Sequence, residues 1–163
     1  MANFQKAIGK TLILEAGYWD DPRGGPTKYG ISQKAYPQYS TSDIKWMAPS
    51  TAIKIYERDF WQPVKGDMIT NQYIAEELLD TAINCGVVVA VKCVQRALEF
   101  LGEGIVIDGK LGSKTLDLIN RWCKKNPEAL FRAMNGEQYI YYKGIKGISF
   151  PAGWMKRLQN WEK

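Results

Sequence analysis

The chain has 163 residues, of which 45% are hydrophobic and 24% charged, and its formal net charge is +5. These values are typical of a globular protein with one compact core. No apolar run approaches the roughly 18 residues that a membrane-spanning helix needs, so we expect no stable membrane association. The sequence contains no histidine, which excludes Ser-His-Asp catalysis, Cys-His catalysis and every histidine-based metal site.

The positive charge favours a polyanionic partner, such as nucleic acid, a membrane surface or the bacterial cell wall. Lys and Arg are scattered, and no helix-turn-helix, RNP-type or zinc-finger signature occurs, so we do not expect a nucleic-acid partner. Cys85, Cys93 and Cys123 lack the spacing of a zinc site or a disulfide framework, and we interpret them as buried thiols. We therefore predict neither a metal nor a cofactor.

Apolar periodicity predicts a mostly helical chain. The first helix is predicted over residues 4–16, and the glycines and prolines of residues 19–30 indicate a loop or a small hairpin. Six more helices are predicted, at about 49–61, 71–84, 88–101, 113–125, 126–143 and 152–161. Ser113 is predicted as the cap of the helix to residue 125. The glycine-rich stretch 102–112 is interpreted as a loop within one body, because it is too short for a flexible linker.

Glu15 lies on the same predicted helix face as Phe4, Ile8 and Leu12, so it is expected at the core or at a cleft wall. It also falls in the last helical turn, where the helix dipole disfavours negative charge. Both effects raise the pKa of a carboxyl group, which is the property that a general acid needs near neutral pH. The alternative is a partly exposed glutamate at a fraying helix end, paired with a lysine.

Two adjacent aspartates, Asp20 and Asp21, follow Glu15 across a Gly17-Tyr18 turn. Glycoside hydrolysis uses such a pair of carboxyl groups, one as acid and one as base, nucleophile or electrostatic partner. Nearby side chains could stack on sugar rings or hold a water molecule: Tyr18, Trp19, Tyr29 and the hydroxyl of Thr27. The alternative is a polar surface loop whose aspartates cap its turns.

The stretch EAGYWDDPRGGPTKYGIS, residues 15–32, resembles the E-G-G-Y…D-P…G-G-x-T-x-x-G-I-[ST] segment of glycoside hydrolase family 108. Further stretches resemble the family in the same order: LLDTAINCG (78–86), VQRAL (94–98), IDGKLGSKT (107–115) and FPAGWMKR (150–157). IDGKLGSKT is also similar to the D-G-x-x-G-x-x-T of peptidoglycan-binding modules. The resemblance covers nearly the whole chain.

This resemblance implies a phage or bacterial N-acetylmuramidase of the endolysin type, and some family members are labelled secretion activators. It implies a lysozyme-like fold of the α+β class, predominantly α, with a small hairpin region after the first helix. Position by position, it implies that Glu15 is the general acid, that Asp21 and Thr27 are catalytic, and that Tyr18 and Asn84 bind substrate. Tyr29, whose ring could stack on a sugar, is predicted as a third substrate-binding residue.

The chain departs from the family pattern in two places. Ala16 replaces the first glycine after the glutamate. The interval between D-P and G-G is about two residues shorter than usual and lacks a further aspartate that is common there. The second carboxylate therefore stays open between Asp21, Asp20 and none.

Taken together, the sequence predicts a lysozyme-like catalytic part at residues 1–88 and a helical peptidoglycan-binding-like part at 89–163, packed into one body. The predicted activity is hydrolysis of the β-1,4 bond between N-acetylmuramic acid and N-acetylglucosamine, and the predicted partner is bacterial peptidoglycan. A lytic transglycosylase and a non-catalytic wall-binding or secretion-accessory protein are the alternatives. The start MANFQKAIGK lacks the apolar segment of a secretory signal, so we expect cytoplasmic synthesis and action on the wall after release, for example through a holin.

Overall fold

The computed structural model describes residues 1–14, 17–21, 25–145 and 158, without the side chains of residues 10–14 and 21. Within this part, seven α-helices accompany one small antiparallel sheet. The helices are α1 (Phe4–Leu14), α2 (Thr41–Lys45), α3 (Pro49–Tyr56), α4 (Gln72–Cys85), α5 (Val87–Phe100), α6 (Ser113–Lys125) and α7 (Pro127–Gly144). The strands are β1 (Tyr18–Asp21), β2 (Gly25–Lys28) and β3 (Ile31–Ser32). The fold is therefore α+β and predominantly α, as predicted.

The three strands pair in the order β1-β2-β3. Tyr29 and Gly30 form the two-residue turn between β2 and β3, and both have positive φ, at 51° and 71°. A two-residue hairpin turn of this kind requires left-handed backbone at both positions, which glycine adopts readily and tyrosine does not. The Tyr56 hydroxyl donates a 2.7 Å hydrogen bond to the Tyr29 carbonyl, which holds the turn against α3.

The start of the chain is bound to the beginning of α4. The Ala2 N–H donates to the Ile69 carbonyl at 2.7 Å, and the Asn3 N–H donates to Gln72 Oε1 at 2.7 Å. Gln72 Nε2 in turn donates to the Asn3 carbonyl at 3.1 Å. These bonds fix the first residues of the chain beside the start of α4. They therefore also fix the direction of α1, which precedes the hairpin.

Trp61, at the end of a π-helical turn that continues α3 (Glu57–Trp61), is fully buried beside Phe4, with ring centroids 5.5 Å apart. Its indole N–H donates to Asp67 Oδ1 at 2.9 Å. A Cβ atom at Gly66 would lie 2.3 Å from the Trp61 ring, so only glycine allows the backbone to cross the indole face. The contact between Phe4 and Trp61 joins α1 to the π-helical turn that continues α3.

Helix α4 is the centre of the core and packs against α1, α5 and α7. Its buried apolar face consists of Ile74, Ala75, Leu78, Leu79 and Ala82. The helices α5–α7 also contact the first part of the chain through Asn120 of α6. The side-chain amide of Asn120 donates to the Met68 carbonyl and accepts from the Thr70 N–H, both at 2.9 Å. Across the described residues, no helix is long and apolar enough to cross a bilayer.

Most predicted elements agree with the structure, including the hairpin after α1 and the proline-started helices α3 and α7. Helix α2 was not predicted, because five residues are too few for a visible apolar period. Ser113 was predicted as the cap of α6, but it is the first helical residue and Gly112 precedes it as the cap. The predicted helix 152–161 lies outside the described residues, except for Leu158.

Candidate active site

The β1–β2 hairpin places Thr27 directly across from Trp19. Directly paired residues in an antiparallel ladder share one face of the sheet, so the Thr27 hydroxyl and the Trp19 indole are neighbours. Trp19 is 68% exposed, whereas Thr27 is half-buried. This face of the hairpin therefore combines a flat apolar surface with a hydroxyl, which is an arrangement suited to a sugar ring.

Side chains alternate across a strand, so the residues on either side of this pair belong to the other face. Tyr18 pairs with Lys28, and Asp20 pairs with Pro26. Tyr18 and Asp20 therefore share a face opposite to Thr27. Trp19, and not Tyr18, therefore shares a face of the hairpin with Thr27. The sequence could not reveal this arrangement, because it depends on how the two strands pair.

The predicted residues differ in how strongly the fold restrains them. The Thr27 hydroxyl donates to the Gly25 carbonyl at 3.1 Å, so its oxygen keeps acceptor capacity for a water molecule. Tyr29 is half-buried against the core, and Lys28 Nζ lies 5.4 Å from the centroid of its ring. Asn84 is half-buried near the end of α4, and its Nδ2 donates to the Asp80 carbonyl one turn earlier at 2.8 Å.

Two predicted catalytic residues, Glu15 and Asp21, have no described side chain. Glu15 lies outside the described residues, in the interval between Leu14 at the end of α1 and Tyr18 at the start of β1. Asp21 is described for its backbone alone, which pairs with Gly25 at the end of the hairpin. The roles of both residues stay predictions.

The DGKLGSKT stretch is organised around Gln95 of α5, a buried residue of the VQRAL stretch. Gln95 Nε2 donates to Asp108 Oδ1 at 2.8 Å and to the Lys110 carbonyl at 3.2 Å, and its Oε1 accepts from the Gly109 N–H at 2.9 Å. The hydrogen bonds from Gln95 and from the Lys110 N–H hold the pKa of Asp108 below its usual range. The Asp108 carboxylate thus stabilises its own loop.

The three cysteines are free thiols: Cys93 is buried, while Cys85 and Cys123 are half-buried. Burial raises the pKa of the Cys93 thiol to about 12, so it is not a nucleophile at neutral pH. No group of three or more carboxylate or thiol side chains in the described part of the chain is arranged to hold a metal ion.

The architecture, a helical body with a small antiparallel sheet directly after the first helix, is lysozyme-like. Residues 8–86 match the family described as Glycosyl hydrolase 108, and residues 89–159 match the one described as Predicted Peptidoglycan domain. Among solved structures, SagA of Brucella abortus superposes with a TM-score of 0.80 and 28% sequence identity, covering 95% of this chain and 88% of that chain. No curated protein sequence matches the chain.

The chain thus combines a glycosyl hydrolase 108 part, residues 8–86, with a peptidoglycan-binding part, residues 89–159. The first part implies a glycoside hydrolase, and the second part supports peptidoglycan as the substrate. The resemblance noted in the sequence is thereby confirmed. The division at residue 88 stays a prediction.

Proposed function

We propose that the protein hydrolyses the β-1,4 bond between N-acetylmuramic acid and N-acetylglucosamine in peptidoglycan. The observation that carries this proposal is the match of residues 8–86, which include the whole stretch from Glu15 to Thr27, to a glycoside hydrolase family. The peptidoglycan match of residues 89–159 supports the same substrate from the other part of the chain.

In this mechanism Glu15 protonates the glycosidic oxygen as the bond breaks. A second carboxylate then stabilises the positive charge that develops at the anomeric carbon, or orients the attacking water. Asp21 is the better candidate for this role, because the alternation of β1 puts Asp20 on the face opposite to Thr27. The Thr27 hydroxyl accepts a hydrogen bond from the water, and the Trp19 indole supports the adjoining sugar ring.

The experiment is digestion of purified peptidoglycan by the wild type and by Glu15→Gln, with mass spectrometry of the soluble products. Glu15→Gln keeps the shape of the side chain and removes its proton. We expect product release to fall by a factor of at least about 100 while the melting temperature changes by less than about 2 °C. Glu99→Gln, which removes an exposed carboxylate on α5, is the matched control and should keep full activity.

The products separate the alternatives. Reducing muramic acid ends, from the wild type alone, are the expected result. Anhydro ends, which lack one water, would show that the reaction is transglycosylation and not hydrolysis. A fully active Glu15→Gln protein would remove Glu15 from the mechanism, and a protein that binds the wall without releasing fragments would be a wall-binding protein. The proposed route to the wall, release after cytoplasmic synthesis, is tested separately by fractionating producing cells before and after lysis.

A further inference from the structure

We propose that a groove formed by α2, the residue before its cap and the start of α3 is a second glycan-binding site. Its ligand is the N-acetylated sugar backbone of a peptidoglycan strand. The groove has a volume of about 380 Å³, and its lining includes Tyr39, Ser42, Asp43, Trp46 and Thr51. This volume is within the roughly 300–1,000 Å³ of small-ligand sites. The inference rests on the proposed function, since it names a further contact with the same substrate.

Trp46 is the central feature of the groove, because its side chain is 75% exposed. Trp61 and Trp122, by contrast, are buried in the core. The backbone of Trp46 is nevertheless fixed, since its N–H donates to the Ser42 carbonyl at 3.0 Å and closes α2. The large apolar ring of Trp46 is thus exposed to solvent on an ordered backbone, and it contributes little to the packing of the core.

The polar groups around the ring suit sugar hydroxyls. Ser42 and Thr51 contribute hydroxyl groups, and Asp43 contributes a carboxylate. Asp43 Oδ2 accepts hydrogen bonds from the Ser40 N–H and hydroxyl at 2.8 and 2.7 Å, while no hydrogen bond from any other described residue reaches Oδ1. Oδ1 can therefore accept a sugar hydroxyl. The hydrogen bonds from Ser40 also lower the pKa of Asp43, so the acceptor is charged at neutral pH.

The groove is built before any ligand binds. Ile44 anchors α2 in the core, and Ser40 and Asp43 form a reciprocal capping box at its start. Gln33 Nε2 donates to the Tyr39 carbonyl at 3.2 Å, which holds the residue before the cap. A site whose side chains are already ordered loses less conformational entropy when it binds.

The groove is also connected to the catalytic hairpin. Lys28 Nζ donates to the Lys45 carbonyl at 2.9 Å, and α2 packs against β2. Lys28 pairs with Tyr18, so the groove adjoins the hairpin face opposite to Thr27. Tyr18 is 39% exposed on that face. A long glycan strand held at α2 would therefore raise the local concentration of substrate beside the hairpin.

A glycan fits this groove better than other occupants. The charged Asp43 disfavours an anionic ligand such as nucleic acid or the carboxylates of a stem peptide. Lys45 Nζ lies 5.5 Å from the Trp46 ring centroid, within the range of a cation–π contact. Because Trp46 is 75% exposed, much of its ring is still available for the C–H groups of a pyranose. A ring flanked by hydroxyl and carboxylate groups offers both the apolar and the polar contacts that a sugar presents.

The test uses tetra-N-acetylchitotetraose, a soluble β-1,4 N-acetylglucosamine tetramer, and the full chain carrying Glu15→Gln. The indole N–H resonances of the tryptophans are followed by NMR, and the Trp46 signal is assigned by its absence in Trp46→Ala. We expect the Trp46 signal to shift with the tetramer, and Trp46→Ala to weaken its binding by about tenfold. Trp46→Phe should recover most of this loss, and Phe100→Ala, which removes an exposed ring from α5, should have no effect.

Three results would overturn the inference. The first is a Trp46 resonance that stays unmoved while Trp19 shifts, which would mean that the hairpin face alone holds the sugar. The second is displacement of the tetramer from Trp46 by an isolated stem peptide with higher affinity. The third is a dimer in sedimentation that Trp46→Ala dissociates, which would make the groove an interface between copies. Because binding is measured in Glu15→Gln, the groove is tested whether or not the wild type cleaves peptidoglycan.

Discussion

At the residue scale, the two neighbouring aspartates of β1 are expected to differ in function. Asp20 lies on the hairpin face opposite to Thr27, whereas Asp21, which precedes Pro22, resembles the aspartate of the family's D-P pair. We predict that Asp21→Asn lowers the rate of peptidoglycan cleavage by about 100-fold or more, and that Asp20→Asn changes it by less than about threefold. The measurement is release of soluble fragments at equal protein concentration. The reverse order of effects would assign the second carboxylate to Asp20.

The side-chain amide of Gln95 joins α5 to the DGKLGSKT loop. Gln95→Leu keeps the approximate volume but leaves the Asp108 carboxylate and the Gly109 N–H without these partners. We expect the free energy of unfolding to fall by about 1–3 kcal/mol, because the hydrogen bonds that the buried Gln95 amide makes with the loop are lost. Denaturant titration followed by circular dichroism measures this change.

The neighbouring Arg96→Gln is the control, since Arg96 is exposed on the same helix and should change stability by less than about 0.5 kcal/mol. A Gln95→Leu protein as stable as the wild type would mean that the loop keeps its shape without the amide. Fragment release by Gln95→Leu at low temperature should stay close to that of the wild type, because the side-chain hydrogen bonds of Gln95 go to residues 108–115, which are not part of the hairpin.

At the element scale, the packing of α4 against α7 buries a carboxyl group. Glu77 of α4 is completely buried and faces Asp80 and Thr81 of its own helix and Asn135 of α7. Burial, and then the neighbouring Asp80 carboxylate, raise the pKa of Glu77 from 4.5 to about 8. Glu77 is therefore mostly protonated at neutral pH, which reduces the cost of holding it between two helices.

Because its pKa is raised, Glu77 makes the stability of the folded protein decrease as the pH rises. Between pH 4.5 and about 8, the folded protein binds more protons at Glu77 than the unfolded chain does. The free energy of unfolding should therefore fall as the pH rises through this window, by on the order of 5 kcal/mol at most. Glu77→Gln should remove this slope and be more stable than the wild type at pH 9.

Denaturant titrations at several pH values measure the slope. Glu99→Gln is the control, because Glu99 is exposed on α5 and should leave the slope unchanged. If Glu77→Gln kept the slope of the wild type, another group would be responsible for it.

The elements differ in how far the sequence predicts them. Helices α4, α5 and α6 have an apolar period over three or more turns, and α7 has both Asn126 as its cap and Pro127 at its first position. These signals are local, so the helices were predicted to within a few residues. The π-helical turn at the end of α3 and the short helix α2 depend on the packing of Trp61 and Ile44, which no local pattern indicates.

At the scale of the whole molecule, the two predicted parts share one core. Helix α4 belongs to the first part and packs against α5 and α7 of the second. We predict that residues 1–88 alone do not unfold cooperatively, because the apolar face of α4 would be exposed to water, and that the full chain unfolds in one transition. Thermal circular dichroism of both proteins measures this. A fragment with its own sharp transition would make the two parts independent domains.

The sequence alone determined the fold class, the family and the positions of the main helices, because these depend on apolar periodicity, caps and motifs that lie close together along the chain. It also indicated the stretch from Glu15 to Thr27. The tertiary structure decided which residues share a surface. Strand pairing put Trp19, and not Tyr18 or Asp20, beside Thr27. The packing of α2 against β2 placed Trp46 in a groove next to the opposite face. The tertiary structure also showed that Gln95 holds Asp108. These contacts join residues from different elements, and their geometry follows from strand register and helix packing, which one sequence without its fold does not specify.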